Sequence, residues 1–391
     1  MKALCWNGVK DLRVETVPDP TILNSRDAII KVSMSSVCGS DLHLYNGFVP
    51  SMREGDIIGH EFMGEVVETG KDVRKLKKGD RVVVVSVIGC GECHYCSSGS
   101  WSLCDNSNPH AIMQEKAYNY STAGIFGYSH LFGGYAGSHA QYIRVPFADN
   151  GAFVVPEEVP DEKAVFISDA MPTGYMAAEM GNIKPGDVVA VWGAGGVGQM
   201  AIQTAYLMGA EKVIAIDSFD YRLQAAAKFS KAETLDYTST DILDALKEAT
   251  GGRGPDVCID AVGMEARTTG IEQIYDKAKQ KLRLESDRPA VLRQAIMACR
   301  KGGTISVVGV YAGLIDKFPM GVMMNKGLTM RGGQMHGQHY VQMLIDLILQ
   351  DKIDPSFLLT HPMPLEAGPE AYGMFNDKTD NCMRAVFLPN M

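Results

Sequence analysis

Cys90, Cys93 and Cys96 form a C-x-x-C-x-x-C run, Cys104 follows closely, and Gly89, Gly91 and Gly99 lie around them. Thiols at this spacing, on a loop that glycines allow to curl, can enclose one ion tetrahedrally with every position filled, as structural zinc requires. A [4Fe–4S] cluster is the rival reading, but the ferredoxin run ends in proline, whereas Asp105 follows Cys104 here. His94 is a competing ligand type that four thiols would leave on the loop surface. A second set stands upstream, in Cys38-Gly39-Ser40-Asp41-Leu42-His43 and Gly59-His60-Glu61. Thiolate and imidazole are ligands zinc prefers, and a catalytic ion needs three protein ligands and one open position. Read alone, Cys38 is as readily a small buried hydrophobe, and His60 a turn residue.

A third stretch has the chemistry of phosphate binding. Val188 to Trp192 is a short apolar run, and Gly193-Ala194-Gly195-Gly196-Val197-Gly198 follows at once. Gly193 allows a tight turn, Gly195 clears the backbone for a pyrophosphate, and Gly198 lets a helix pack close to the strand. An apolar helix from Gln199 to Met208 would direct its positive end at the phosphates. Val213 to Ile216 then returns as a strand, and Asp217 stands where a carboxylate accepts from the ribose hydroxyls. A carboxylate there repels a 2′-phosphate, so the expected dinucleotide is NAD rather than NADP.

These groups need two kinds of scaffold. Residues 1 to about 160 carry short strand-like runs at Ala28 to Ser33, Phe62 to Glu68, Arg81 to Val85 and Ala140 to Val145, separated by turn signals such as Lys78-Gly79-Asp80. From about Pro172 to Arg331 strands alternate with helices. Beyond the opening unit, the strand candidates are Thr234 to Tyr237, Val257 to Asp260, Thr304 to Val308 and Leu328 to Met330. The fold class is therefore α/β, with a doubly wound, parallel, six-stranded sheet in the second part. The tail offers a helix at Val341 to Gln350 and a strand at Ala385 to Leu388, too little for a core of its own, so it should return to the β-rich first part.

Composition narrows the function classes. At 391 residues the chain suggests two or three domains, and 46% hydrophobic with 21% charged residues is ordinary for a globular protein. A formal charge of −9 and a pI near 5.5 argue against nucleic acid or an anionic membrane as a partner. No apolar run approaches ~18 residues and the amino end lacks a signal-peptide core, so the expected location is the cytoplasm. Nine cysteines in that compartment should be thiols or metal ligands.

Cys38-Gly39-Ser40-Asp41, Gly59-His60-Glu61, the four-cysteine loop and Gly193 to Gly198, in this order, resemble the zinc-dependent alcohol dehydrogenases of the medium-chain dehydrogenase/reductase family. The resemblance spans nearly the whole chain. It implies a GroES-like catalytic domain from residues 1–170 and 332–391, and a Rossmann domain from residues 171–331. It implies two Zn²⁺ per chain, one catalytic on Cys38, His60 and Asp169 and one structural on Cys90, Cys93, Cys96 and Cys104, with NAD as cofactor. Asp169 stands where many relatives carry cysteine. In this, and in Gly133 to Gly137, the aromatic stretch before it and the charged segment Glu265 to Arg288, the chain resembles the glutathione-independent formaldehyde dehydrogenase-like subgroup.

The resemblance also implies roles. Ser40 would take a proton from the substrate oxygen and pass it through a ribose hydroxyl to His43, and Glu61 would support the zinc shell or enter it transiently. Thr173, Val308 and Val310 would meet the nicotinamide end of NAD, Val262 would also touch the cofactor, and Arg222 would meet the adenosine ribose and Arg384 the pyrophosphate. Gly39 departs from relatives with a basic phosphate partner there. The implied substrate is a small alcohol or aldehyde, formaldehyde foremost, and the implied assembly a homodimer or homotetramer; a polyol or threonine-type dehydrogenase of the same family is the alternative. A zinc-ribbon binding protein or redox sensor is a remoter one.

Two further segments bear on selectivity. Tyr118, Tyr120, Phe126, Tyr128, His130 and Phe132 could roof a substrate pocket or simply pack. Met335-His336-Gly337-Gln338-His339 could hold a third zinc or cap a helix. Lys277, Lys279, Lys281 and Arg283 have the pattern of a solvated helical face.

Overall fold

The computed structural model describes residues 1–264, 289–311, 313 and 315–390. The charged segment Glu265 to Arg288, with Lys277, Lys279, Lys281 and Arg283, lies outside the described residues. The chain forms two compact units, Thr173–Gln334 and Met1–Pro172 joined by Met335–Met391.

The first of these units is a parallel sheet of six strands: β1 (Val188–Trp192), β2 (Lys212–Asp217), β3 (Glu233–Asp236), β4 (Val257–Asp260), β5 (Thr304–Val307) and β6 (Thr329–Gly332). Their order across the sheet is β3-β2-β1-β4-β5-β6, the doubly wound order whose direction reverses between β1 and β4. Helices α1 (Gly196–Leu207), α2 (Asp220–Ser230), α3 (Ile242–Ala249) and α4 (Ala290–Ala298) accompany the strands. Side chains explain the layers. In β1, Val189 and Val191 pack with Ala201, Ile202 and Ala205 of α1, while Val188, Ala190 and Trp192 pack with Leu246 of α3 and Ile296 of α4. Successive side chains point to opposite faces, so a strand covered on both sides must be apolar at every position, which is why the run lacks alternation. The last strand runs Thr329–Gly332 rather than Leu328 to Met330, because Gly327, at φ +61°, still ends the preceding helix.

The other unit centres on a seven-stranded sheet. Its path runs Ala152–Val154, Arg81–Val84, Glu61–Thr69, Ala28–Ser36, Ala385–Phe387 and His361–Met363, and Tyr142–Val145 also pairs with Ala28–Ser36. The tail does return: Val386 faces Ser36 and Phe387 faces Ser35. Ala28–Ser36 and Glu61–Thr69 are antiparallel with Ser36 opposite Glu61. That register brings the segment after Ser36 beside the segment before Glu61, and these carry the Cys38 and His60 motifs.

Candidate functional site

Cys38 and His60 arrive on neighbouring strand ends, and Glu61 opens the second strand. Asp169 comes from a distant turn, between the 3₁₀ turn Val165–Ser168 and the helix Ala170–Met180. Ser86 secures that turn: its N–H donates to the Ser168 carbonyl at 3.1 Å and its hydroxyl to Asp169 Oδ2 at 2.7 Å. Each of Cys38, His60, Glu61 and Asp169 offers one ligand atom, and these four atoms all lie within 4.8 Å of one another. His60 Nε2 is 3.7 Å from Asp169 Oδ2 and 3.2 Å from Ser40 Oγ. The other ring nitrogen, Nδ1, is 3.0 Å from Asp41 Oδ1, while Asp41 Oδ2 accepts from the Cys38 N–H at 2.8 Å. A carboxylate on the Nδ1 side is the arrangement that, on a ligating histidine, favours the proton on Nδ1 and leaves Nε2 for an ion.

The donor set fits a divalent cation. Cys38, Asp41, Glu61 and Asp169 bring acidic groups into one buried region, where Arg384 Nη2, 3.2 Å from Glu61 Oε1, is the neighbouring guanidinium. Burial pushes the Glu61 carboxyl up, as does the nearby Asp169, against the pull of Arg384 and His60. Burial opposes charge on His60, yet Asp41 and Cys38 hold its imidazole well above the ordinary value. Surplus negative charge of this kind is costly when buried and is offset by a bound ion. A mixed thiolate, imidazole and carboxylate set suits zinc.

The cysteine loop is a second, self-contained cluster. One ligand atom from each of Cys90, Cys93, Cys96 and Cys104 lies within 4.8 Å of the others. Backbone donors turn toward the sulfurs: the N–H groups of Cys93 and Cys104's partner Cys90 reach Cys90 Sγ and Cys104 Sγ, both at 3.3 Å. Burial works against a Cys93 thiolate, but N–H groups of Cys96 and Asp105 and neighbouring thiols draw it down to about 7. A closed set of sulfurs ringed by N–H donors matches a structural zinc.

In the Rossmann-like unit Gly193 sits at φ +86°, and a Cβ at Gly198 would stand 1.7 Å from the Gly193 carbonyl oxygen. The helix start therefore packs directly on the turn, leaving Gly195 at its N-cap and Gly196, Val197 and Gly198 in its first turn.

The Alcohol dehydrogenase GroES-like domain model matches residues 24–157 and the Zinc-binding dehydrogenase model residues 196–280. The chain is 42% identical to the zinc-type alcohol dehydrogenase-like protein AdhB of Bacillus subtilis, over 100% of both chains. The chain belongs to the zinc-dependent alcohol dehydrogenase family. It is 31% identical to the formaldehyde dismutase of Pseudomonas putida, over 96% of this chain and 94% of that one. Alcohol dehydrogenase TADH from Thermus sp. ATN1 superposes with a TM-score of 0.84 at 31% identity, covering 99% of each chain. The β-rich unit is thus the GroES-like domain of an alcohol dehydrogenase-type oxidoreductase, and the six-stranded unit its Rossmann partner.

Within this alcohol dehydrogenase fold, Asp217 ends β2 and its carboxylate already accepts from the N–H groups of Ala194 at 2.8 Å, Ser218 at 2.7 Å and Phe219 at 3.2 Å. Arg222 Nη1 is 3.5 Å from Asp217 Oδ2, with the guanidinium over the rings of Phe219 and Tyr221. Val262 follows β4 and would meet a Cβ at Gly193 at 2.7 Å; the Val308 N–H donates to the Asp260 carbonyl, and the Val310 carbonyl accepts from Met264. These positions gather beyond the carboxyl ends of β1, β4 and β5, where doubly wound sheets bind nucleotides. Thr173 opens the unit, on the helix Ala170–Met180. His43 is buried on the short helix Asp41–Tyr45.

Arg384 and the Met335 to His339 run have partners within the protein. Arg384, which the resemblance assigned to pyrophosphate, is buried, with Nη2 on Glu61 and Nη1 donating to the Val37 carbonyl at 2.6 Å. A guanidinium committed to a buried carboxylate acts as that group's counter-ion. The Met335 to His339 run is structural: His336 Nδ1 lies 2.9 Å from Ser102 Oγ, Gln338 donates to the Val87 carbonyl at 2.7 Å, and His339 faces Trp101 at 6.4 Å. In the aromatic segment, Tyr128 meets the His60 ring edge-on at 6.4 Å and Phe132 backs it at 5.5 Å, whereas Tyr120 is exposed. Asp41 and Ser86 escaped prediction. Asp41 was legible beside Cys38, but Ser86 carries no motif.

Proposed function

We propose that the chain is an NAD-dependent zinc dehydrogenase of small alcohols or aldehyde hydrates, with formaldehyde hydrate the leading substrate. The observation that carries this reading is the convergence of Cys38, His60, Glu61 and Asp169 within 4.8 Å. Cys38, His60 and Asp169 would hold the catalytic zinc, because Glu61 is engaged by Arg384; Cys90, Cys93, Cys96 and Cys104 would hold the structural one. When bound, zinc acts as a Lewis acid on the substrate oxygen and NAD takes up the hydride. Around that chemistry Asp41 fixes the orientation of His60. The Ser40 hydroxyl, 3.2 Å from His60 Nε2, takes the proton from the substrate hydroxyl at Oγ and passes its own toward the buried His43, which would act as the next base on the route. Thr173, Val308 and Val310 would border the nicotinamide, Val262 would also touch the cofactor, and Asp217 with Arg222 would border the adenosine ribose.

Formaldehyde is favoured by Asp169, by the glycine–aromatic segment and by the likeness to a formaldehyde dismutase. Tyr128, edge-on to His60 at 6.4 Å, would take up space beside the proposed zinc. The test pairs elemental analysis with a panel of short alcohols, formaldehyde, polyols and threonine, following NADH formation. Two zincs per chain with fastest turnover of formaldehyde or a short alcohol supports the reading. One zinc and no turnover overturns it, and preference for a polyol or threonine moves the substrate class.

A further inference from the structure

Asp260 ends β4 at the carboxyl edge of the six-stranded sheet and is fully buried, and none of the roles above uses it. Burying a carboxylate is costly unless donors reach it. Three do. Oδ1 accepts from the N–H groups of Val262 at 2.9 Å and Gly263 at 3.0 Å, and Oδ2 accepts from the Tyr311 hydroxyl at 2.7 Å. Burial pushes the Asp260 carboxyl up, against the pull of Gly263, Tyr311 and Val262. The Asp260 main-chain carbonyl serves another segment, accepting from the N–H groups of Val308 at 3.0 Å and Gly309 at 2.9 Å.

One residue thereby organises two loops. The first leaves β4 through Val262 and Gly263, and the second leaves β5 through Val308 to Tyr311. Their backbones also meet directly: the Met264 N–H donates to the Val310 carbonyl at 2.8 Å, and a Cβ at Gly309 would stand 2.2 Å from the Gly263 nitrogen. A carboxylate offers about four acceptor positions. With three donors in place and no exposure to solvent, this one is built to hold protein segments rather than to take a ligand. Asp217 closes β2, on the opposite side of β1 from β4, so whatever Asp260 holds lies away from the acid that ends the glycine-turn unit.

We propose that Asp260, together with Tyr311, is a positioning residue that fixes the two loops on which the nicotinamide half of the cofactor rests. This rests on the reading that Val308 and Val310 border the nicotinamide and that Val262 also touches the cofactor. Neither Asp260 nor Tyr311 is required to touch NAD; the effect passes through the loop backbone. It should therefore act on one half of the dinucleotide and spare the adenosine half at Asp217 and Arg222.

The test compares NADH with ADP-ribose, which carries the adenosine, both phosphates and the second ribose but no nicotinamide. Affinities of the full chain for each are measured by titration calorimetry, and the fluorescence of bound NADH, which comes from the nicotinamide ring, reports that ring's surroundings. In Tyr311→Phe and Asp260→Ala, NADH should bind ~10-fold or more weakly, the scale of one hydrogen bond to a charged group, and its emission should move toward that of free NADH. ADP-ribose affinity should be unchanged. Asp260→Asn, whose Oδ1 can still accept from both N–H groups, should recover most of the NADH affinity. Wild-type NADH affinity in Tyr311→Phe, with only a lower Tm, overturns the proposal, and so does an equal loss for NADH and ADP-ribose. Should Asp260→Ala fail to fold, Tyr311→Phe is decided by the same readings. Wild-type protein that binds no NADH would remove the cofactor reading and this proposal together, whereas NADH binding with unaffected variants would remove this proposal alone.

Discussion

The two metal-type clusters have the same compactness, ligand atoms within 4.8 Å, but opposite construction. Cys90 to Cys104 is a single loop whose four donors are alike and whose hydrogen-bond donors are largely its own N–H groups. The other cluster draws on residues from Cys38 to Asp169 and depends on Asp41, Ser86 and Arg384 to hold its members. A loop that closes on itself is suited to keep an ion, and a site assembled from distant segments can leave a position for substrate. The first should therefore fail as structure and the second as chemistry.

The largest effect should follow from breaking the loop. Cys104→Ser removes one of four sulfurs from a buried ring. Structural zinc contributes ~10–16 kcal/mol in apparent binding, comparable with a domain's whole margin of ~5–15 kcal/mol. The variant should lose one zinc and either aggregate or show a steep fall in Tm by scanning calorimetry. A folded Cys104→Ser protein with wild-type Tm would place that zinc among dispensable ornaments. Asp169→Ala should do the reverse, keeping far-UV circular dichroism and the loop's zinc while abolishing turnover.

Ser40→Ala sharpens the contrast, because it leaves every proposed ligand in place. Removing a positioned proton acceptor costs typically ~10²–10⁴-fold, so kcat should fall by that order while both zincs and Tm are retained. A kcat near wild type would show that the proton leaves by another route.

Acid should separate the regions next. Burial holds the His139 imidazole down to about 4, with Asp41 opposing the shift and His60 adding to it; Tyr372 and Ser35 face the same ring. A depressed value means that the unfolded chain takes up a proton the folded chain refuses. Stability is then complete above about pH 6.5 and lost as pH falls toward about 4, on the order of 3 kcal/mol in all. Urea denaturation at stepwise lower pH should show a shallower decline for His139→Gln than for wild type. Parallel curves would mean that His139 is not kept neutral by the fold.

What the sequence revealed follows the same division. The glycine turn and the cysteine loop are contiguous, so spacing alone exposed them, and β1 was legible because burial on both faces demands an unbroken apolar run. Arg384 beside Glu61 and Tyr372 beside His139 are pairs brought together by the tail strand Ala385–Phe387 and the helix before it. No local pattern announces a contact across so many residues. The contact of Arg384 with Glu61 was consequently hidden, and the residue stood only as a phosphate candidate. The histidines at 336 and 339 were ambiguous for the same reason, their partners Ser102 and Trp101 lying on the cysteine loop.

The smallest predicted effect concerns the glycine turn, where a local motif turns out to share its acid. The Asp217 carboxylate offers about four acceptor positions, and three N–H groups already point at it. About one position is left for a ribose hydroxyl, fewer than the two hydroxyls expected from the motif. Asp217→Asn keeps an oxygen for the turn but removes the charge that opposes a 2′-phosphate and restrains Arg222 at 3.5 Å. A hydrogen bond to a charged group contributes ~1.5–3 kcal/mol, so the ratio of kcat/KM for NAD over NADP should fall by ~10–100-fold. Most of that change should appear in KM, with zinc content untouched, because the substitution reaches the cofactor and neither metal. A constant ratio would mean that the ribose is recognised away from the end of β2, and Arg222 would then be a stabilising partner of Asp217 rather than a group that reads the cofactor.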